Sequence, residues 1–243
     1  ATTAPRSARW SGSIYTGSVE VGVEVWWGRP SQQQPWHLEL LDATERQRRA
    51  AFRRPADQAR FTVATAVLKL AAGQRLGLAA AAVAVDRTCA DCGRPHGRPR
   101  LPGQDLAASI SHSGDRVLVG LTGGAPVGVD VEELSRVNPD ELAGHVLGPG
   151  EAAPTRPEFF RYWTRKEAVV KATGDGLRMP LREVVVTGPD QPPRLLRYGD
   201  RAELPVCLAD LAAGDGYAAA VAVLGTGPLR VRGRDATDLL TRA

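Results

Sequence analysis

Two stretches of the chain, one on each side of residue 124, run through the same order of elements: helices first, then a small set of strands. In the first, "SVEVGVEVWWG" (18–28) alternates Val19, Val21, Val23 and Val25 with Glu20, Gly22, Glu24 and Trp26, the pattern of a half-buried strand. "LDATERQRRAAFRR" then reads as a helix with Asp42 as its N-cap, broken by Pro55. "ADQARFTVATAVLKLAAGQRLG" (56–77) reads as a long helix with Phe61, Ala64, Val67, Leu68 and Ala71 on its apolar face and Gly77 as its stop. A loop rich in Gly, Pro and Arg covers 88–105. Three short strands follow in "LAASISHSGDRVLVGLTGGAPVGVDVEEL", turning at Ser113-Gly114-Asp115 and Gly123-Gly124. The second stretch has helices near 138–147 and 157–173, then strands near 183–187, 194–198, 205–210 and 217–223. No sequence repeat accompanies the shared order. The expected architecture is α+β: a flexible tail over 1–17, then two similar lobes over 18–124 and 125–243.

Certain classes fall away on composition. No apolar run reaches the length of a membrane span, and "ATTAPRSARWSGSIYTGS" lacks the apolar core of a signal peptide. The three cysteines, Cys89, Cys92 and Cys207, are odd in number, which together with the missing signal points to a reducing cytoplasm. "CADCGRPH" offers Cys89, Cys92 and His96, half of a zinc site; a structural site takes four ligands and no second pair follows, so these read as loop cysteines. The net charge of +4 is carried almost wholly by arginine, with lysine only at 69, 166 and 171. That balance suits an anionic partner such as a phosphate ligand, an acidic protein or nucleic acid; it is also what a GC-rich genome produces.

Within "VGVDVE" (127–132) side chains alternate faces. Val127, Val129 and Val131 point one way; Gly128, Asp130 and Glu132 point the other, the two carboxylates roughly 6.5–7 Å apart along the strand. Acids on a strand otherwise fit for the interior indicate a polar cleft in which paired carboxylates hold a hard cation; a solvated sheet face is the plainer alternative. In "FFRYWTRKEAVVKATGDGL" (159–177), Trp163, Glu167 and Lys171 stand four apart on one helical stripe. They read as a core Trp beside a surface ion pair, or as an aromatic wall, a third carboxylate and a phosphate-neutralising lysine. "SISHSG" (109–114) sets Ser111 and His112 at a strand end, where a hydroxyl and an imidazole reach phosphate oxygens. A nucleophile elbow, GxGxxG and GxxxxGK[ST] are all missing, which argues against a serine hydrolase, a dinucleotide fold and a P-loop.

The succession "HGRP" (96–99), "SISHSG" (109–114), "VGVDVE" (127–132) and "WTRKEAVVKATGDGL" (163–177) resembles the 4′-phosphopantetheinyl transferases of the surfactin-synthetase-activating type, over about residues 45 to 177. The resemblance implies a pseudosymmetric two-lobed α+β fold with coenzyme A and magnesium bound between the lobes. It implies Asp130, Glu132 and Glu167 as metal ligands, and Glu167 and Lys171 as the catalytic pair. Lys171 would contact the coenzyme pyrophosphate, with Asp130 beside it. Ser111 and His112 would touch the coenzyme's phosphates, and Gly97, Arg98 and Pro99 would lie against its adenine. Arg48 and Arg60 fall near basic positions that hold the 3′-phosphate, with Arg53 and Arg54 as rivals. Arg98 stands where relatives often carry Lys, which keeps the charge and changes the phosphate geometry.

The implied reaction is attack by a serine hydroxyl of an acyl or peptidyl carrier protein, as in polyketide and nonribosomal peptide synthesis, on the β-phosphate of coenzyme A, releasing 3′,5′-ADP. Glu167, or a metal-bound water that it orients, would take the serine proton. Two other readings compete. A basic nucleic-acid-binding module would use the Arg-rich segment 46–60, and leaves the carboxylates unexplained. A magnesium-dependent nuclease or phosphatase would use Asp130 and Glu132, and leaves Lys171, Ser111 and the loop at 97–99 unexplained. Because one chain supplies both sides of the cleft, a cytoplasmic monomer is expected, with no nucleic-acid or membrane partner.

Overall fold

The computed structural model describes residues 20–135 and 137–241; the tail expected over 1–17 lies outside them. Strand β1 (Val21–Gly28) is the first element among the described residues, with Val23 and Val25 buried. Helix α1 (Ala43–Ala50) starts at the Asp42 N-cap, whose carboxylate accepts from Glu45 N–H while the Glu45 side chain accepts from Asp42 N–H. Helix α2 (Pro55–Leu76) takes Pro55 as its first residue, where a missing N–H costs nothing, and ends on Gly77 in the left-handed conformation (φ 67°). Strands β2 (Ala107–Ser113) and β3 (Arg116–Thr122) form a hairpin, and β3 pairs antiparallel with β1.

The second half repeats this plan. Strand β4 (Val127–Glu133) is followed by α3 (Pro139–Val146) and α4 (Arg156–Thr173), then by β5 (Val184–Val186), β6 (Leu195–Tyr198), β7 (Val206–Asp210) and β8 (Tyr217–Leu224). Strands β5 and β6 form a separate two-stranded ribbon. The order β4-β8-β7 matches β1-β3-β2 strand for strand, with β4 antiparallel to β8 as β1 is to β3. The protein is thus α+β, with two sheets of like topology.

Four layers stack as α2, first sheet, second sheet, α4. Ala64, Val67 and Leu68 of α2 pack against Val117, Val119 and Leu121 of β3. The opposite face of that sheet, with Val23, Val25 and Leu118, meets Val127, Val129 and Val131 of β4. Beyond it, Ala168, Val169 and Ala172 of α4 cover Ala220 and Ala222 of β8. The three β4 valines have no exposed surface. Each contributes roughly 1.5–3 kcal/mol of burial, which offsets the cost of holding polar groups on the other face of the strand.

One expectation is corrected. The segment 125–243 does not stay in one lobe: β9 (Leu229–Asp235) returns to the first sheet and pairs parallel with β1. The short helix α5 (Thr237–Thr241) then packs on α2, with Leu240 buried. "LRVRGRD" escaped notice because an edge strand with one solvated face carries only Leu229 and Val231 as apolar markers.

Candidate active site

The edges of the two sheets meet where β2 lies beside β4. In β4 the N–H groups of Val129, Val131 and Glu133 point away from β8, and three serines of β2 accept them. Ser109 Oγ takes Val129 N–H at 3.1 Å, Ser111 Oγ takes Val131 N–H at 3.3 Å, and Ser113 Oγ takes Glu133 N–H at 3.0 Å. Every second residue of "SISHS" is thus a side-chain substitute for a missing neighbouring strand. The same hydroxyls donate onward. Ser111 donates to Asp130 Oδ1 at 2.8 Å and Ser113 to Glu132 Oε2 at 2.8 Å.

Helix α4 supplies the opposite wall. Thr155 and Glu158 form its capping box, and Gly174 closes it at φ 77°. Its approach to β4 is unusually close: a Cβ added to Gly128 would lie 1.9 Å from Ala168 O and 2.5 Å from Ala172 N. Only glycine admits the helix at that distance. Lys171 Nζ therefore reaches across to donate to Asp130 Oδ1 at 2.5 Å and to Ser111 Oγ at 3.1 Å.

The resulting cleft has a volume of about 400 Å³. Asp130, Glu132, Glu167 and Lys171 line one end, with Trp163 beside them; Arg48, Arg87, Phe52 and Phe61 line the other. His112 and Ser111 also face it. Trp163 stacks on Phe160 with centroids 5.9 Å apart, which fixes it as a wall rather than a mobile flap.

Charge in the cleft is unevenly satisfied. Asp130 is 2 % exposed; Oδ1 has the lysine and the serine, whereas Oδ2 is buried with no hydrogen-bond partner among the described residues. An orphaned buried carboxylate oxygen costs several kcal/mol unless something neutralises it. Burial, then the charge of Asp130, raises the Glu167 carboxyl above the ordinary range, with Lys171 opposing. Burial works against the Lys171 charge, but Asp130 and Glu167 outweigh it and hold the ammonium above the usual lysine range. Three carboxylates face one lysine, with one oxygen left over, and oxygen donors of this kind suit a hard divalent cation such as magnesium, though the oxygens of the three acids do not all lie within 4.8 Å of one another. At the other end, Arg48 Nη1 is likewise buried without a partner among the described residues. Burial and the neighbouring Arg48 charge push Arg87 down to about 10. Two crowded guanidiniums are a receptor for an anion.

The structure gathers Arg48, Ser111, His112, Asp130, Glu132, Glu167 and Lys171 around this one cleft. Other expected residues stand apart from its lining. Arg53 and Arg54 are exposed in the connection before α2. Arg60 is spent on structure: its Nε donates to Gly114 O at 2.7 Å in the β2–β3 turn, and it pairs with Asp57. Gly97 N–H donates to Arg87 O at 2.7 Å, and Arg98 reaches the C-terminus of α4, where its Nη1 donates to Ala172 O at 2.8 Å; neither residue, nor Pro99, lines the cleft. Ser111 is committed to Asp130, Lys171 and Val131, so it orders the acid and the lysine. His112, although at the surface, is held below the ordinary histidine range, first by the protein crowded around it and then by Lys171, Arg60 and Arg87. Lys166, conspicuous with Lys171 in the sequence, is a buried structural cation bonded to Glu151 and to Val146 O at 2.6 Å. Arg87 is not among the residues expected from the sequence; its one signal is an arginine two residues before Cys89.

Comparison with known proteins gives this geometry a family. A profile described as "4'-phosphopantetheinyl transferase superfamily" matches residues 126–222. The chain is 32% identical over 215 residues to the 4'-phosphopantetheinyl transferase HetI of Nostoc sp., covering 83% of this chain and 87% of that protein. It is 27% identical over 208 residues to a putative 4'-phosphopantetheinyl transferase of Synechocystis sp., covering 77% and 81%. It is also 27% identical over 152 residues to a 4'-phosphopantetheinyl transferase of Bacillus subtilis, covering 59% and 65%. With an identity of 32% sustained over 83% of its length, the chain belongs to the 4'-phosphopantetheinyl transferase superfamily.

Proposed function

We propose that the protein transfers the 4′-phosphopantetheine arm of coenzyme A to a serine hydroxyl of an apo carrier protein, with magnesium, releasing 3′,5′-ADP. The observation that carries this reading is the split state of Asp130: one oxygen neutralised by Lys171 and Ser111, the other buried and unmatched at the wall of the cleft. Asp130, Glu132 and Glu167 would hold the magnesium, which when bound neutralises pyrophosphate charge and lets that group approach the acids.

The chain's own groups divide the remaining work. Arg48 and Arg87 bind the 3′-phosphate end of coenzyme A, beside Phe52 and Phe61. Lys171, pinned by Asp130, sits near the pyrophosphate and stabilises charge that grows as its P–O bond breaks. Glu167, raised above the usual carboxyl range, takes the proton of the incoming serine. His112, held toward its neutral form, donates a hydrogen bond to a phosphate oxygen without adding charge. Both walls come from one chain, which favours a monomer of the surfactin-synthetase-activating type acting on acyl or peptidyl carriers. Incubation of an apo carrier protein with this protein, coenzyme A and magnesium, read by intact mass, tests the reading. The expected result is a gain of one phosphopantetheine arm; an unmodified carrier over a panel of acyl and peptidyl carriers would overturn it.

A further inference from the structure

The turn before the Gly97–Pro99 loop carries chemistry that phosphopantetheine transfer does not use. Among the described residues, Cys89 Sγ, Cys92 Sγ and His96 form the one group of three or more candidate ligands whose donor atoms all lie within 4.8 Å of one another. None of them lines the cleft. Backbone bonds fix their arrangement: Cys89 N–H donates to Arg94 O at 2.8 Å, Gly93 N–H to Cys89 O at 2.9 Å, and His96 N–H to Arg94 O at 2.9 Å. Gly93 takes the left-handed conformation (φ 69°) that lets the chain double back directly after Cys92. The three donors converge through the fold of the turn itself, at the C-x2-C spacing used for thiolate-rich metal sites.

We propose that Cys89, Cys92 and His96 bind one zinc ion, with the fourth position taken by water or by the carboxylate of Asp91. Two thiolates and an imidazole are borderline-soft ligands, suited to zinc and poorly suited to the magnesium of the acid cluster. Donor atoms on a tetrahedral zinc stand roughly 3.5–4 Å apart, from its bond lengths to sulfur and nitrogen. The group needs little adjustment to reach that. Cys92 Sγ and His96 Nε2 are 2.9 Å apart, sharing a proton that the metal would displace. Asp91 Oδ2 is 4.0 Å from Cys89 Sγ, and Oδ1 is paired with Arg178 at 2.7 Å. Arg98, two residues past His96, bonds the end of α4. Zinc would therefore staple the strap that runs from the first lobe onto the second, outside the catalytic cleft.

The test is metal analysis of the reduced full-length protein, purified without chelator and titrated anaerobically with zinc, with cobalt substitution as the spectroscopic arm. One equivalent of zinc is expected in addition to any held by the acids. The cobalt form should show thiolate-to-cobalt charge-transfer bands. Both that equivalent and the bands should be lost in Cys92→Ser and in His96→Gln. Zinc at a hundred times its dissociation constant should raise Tm by roughly 5–10 °C in the wild type, and not in the variants. A wild-type chain without charge-transfer bands, or bands and stoichiometry unchanged in both variants, would overturn the proposal.

Discussion

Asp130 concentrates the logic of the site in one side chain. Its Oδ1 orders a lysine and a serine, and its Oδ2 is buried with no hydrogen-bond partner among the described residues. Lys171 is held by that acid and by Ser111 at the wall of the cleft, where the proposed reaction would require pyrophosphate charge to be met. If its contact strengthens as charge develops, Lys171→Ala should lower kcat by about 10²–10³-fold, with a smaller rise in the coenzyme A dissociation constant. Steady-state kinetics and calorimetry on the same variant check this; a loss confined to binding would make Lys171 a ground-state clamp. The acids were legible in the sequence because a period of two puts Asp130 and Glu132 on one face, and a period of four puts Glu167 and Lys171 on one stripe. The serines' second role was not. That Ser109, Ser111 and Ser113 cap the bare edge of β4 depends on which strands meet, and no local pattern carries that information. Arg87 stayed hidden for the same reason: many arginines are available, and the approach of a loop to α1 selects among them.

At the level of elements, the close contact of β4 with α4 sets the geometry. Gly128→Ala would drive a methyl group into Ala168 O and Ala172 N, both backbone atoms that cannot swing aside. The cost should be about 3 kcal/mol or more, lowering Tm by roughly 6–12 °C. It should also uncouple Lys171 from Asp130. Thermal melting reads the first effect and activity of the surviving folded fraction the second; a melting curve like that of the wild type would contradict the packing. A second contact holds the returning C-terminal segment. His37 has no exposed surface; Nδ1 accepts from Gln34 N–H, and Nε2 lies 3.1 Å from Leu240 O. The ring is therefore a neutral donor at Nε2, and burial keeps it below the ordinary histidine range. A depressed folded-state value leaves stability intact above the unfolded value of about 6.5 and removes it as pH falls below that. The loss attributable to His37 is at most about 1.4 kcal/mol per pH unit. Between pH 7.5 and 5.5 the wild type should lose more Tm than His37→Gln does; parallel curves would show that the imidazole is not what titrates. Most element positions were readable from periodicity and caps: α1 from Asp42, α2 up to Gly77, α4 up to Gly174.

For the whole molecule, two sheets of like topology stack between α2 and α4, and the cleft opens where their edges meet. The shared order of elements announced two similar α+β halves, and the family resemblance implied a site between them; the stacking of the sheets had no local signal. The return of β9 to the first sheet was not announced, because its pairing with β1 spans almost the full chain and leaves only a weak alternation. Exposed arginines at 46, 53 and 54 flank Phe52 at the basic end of the cleft, on a face suited to an acidic partner. Rim charges of this kind act on association and are screened over about 8–10 Å at physiological salt, whereas Arg48 and Arg87 are partly withdrawn from solvent. Raising salt should therefore increase the KM for the carrier protein more than that for coenzyme A; equal shifts would assign docking chiefly to apolar contact. The most direct trial of the account as a whole is a magnesium titration of carrier modification, read by intact mass, for the wild type and Asp130→Asn. The substitution keeps shape and size and removes the charge on the unmatched oxygen. The account predicts that the wild type adds one phosphopantetheine arm only when magnesium is present, and that Asp130→Asn adds essentially none at any magnesium concentration. Modification by Asp130→Asn at the wild-type rate, or full wild-type turnover without any divalent ion, would contradict it.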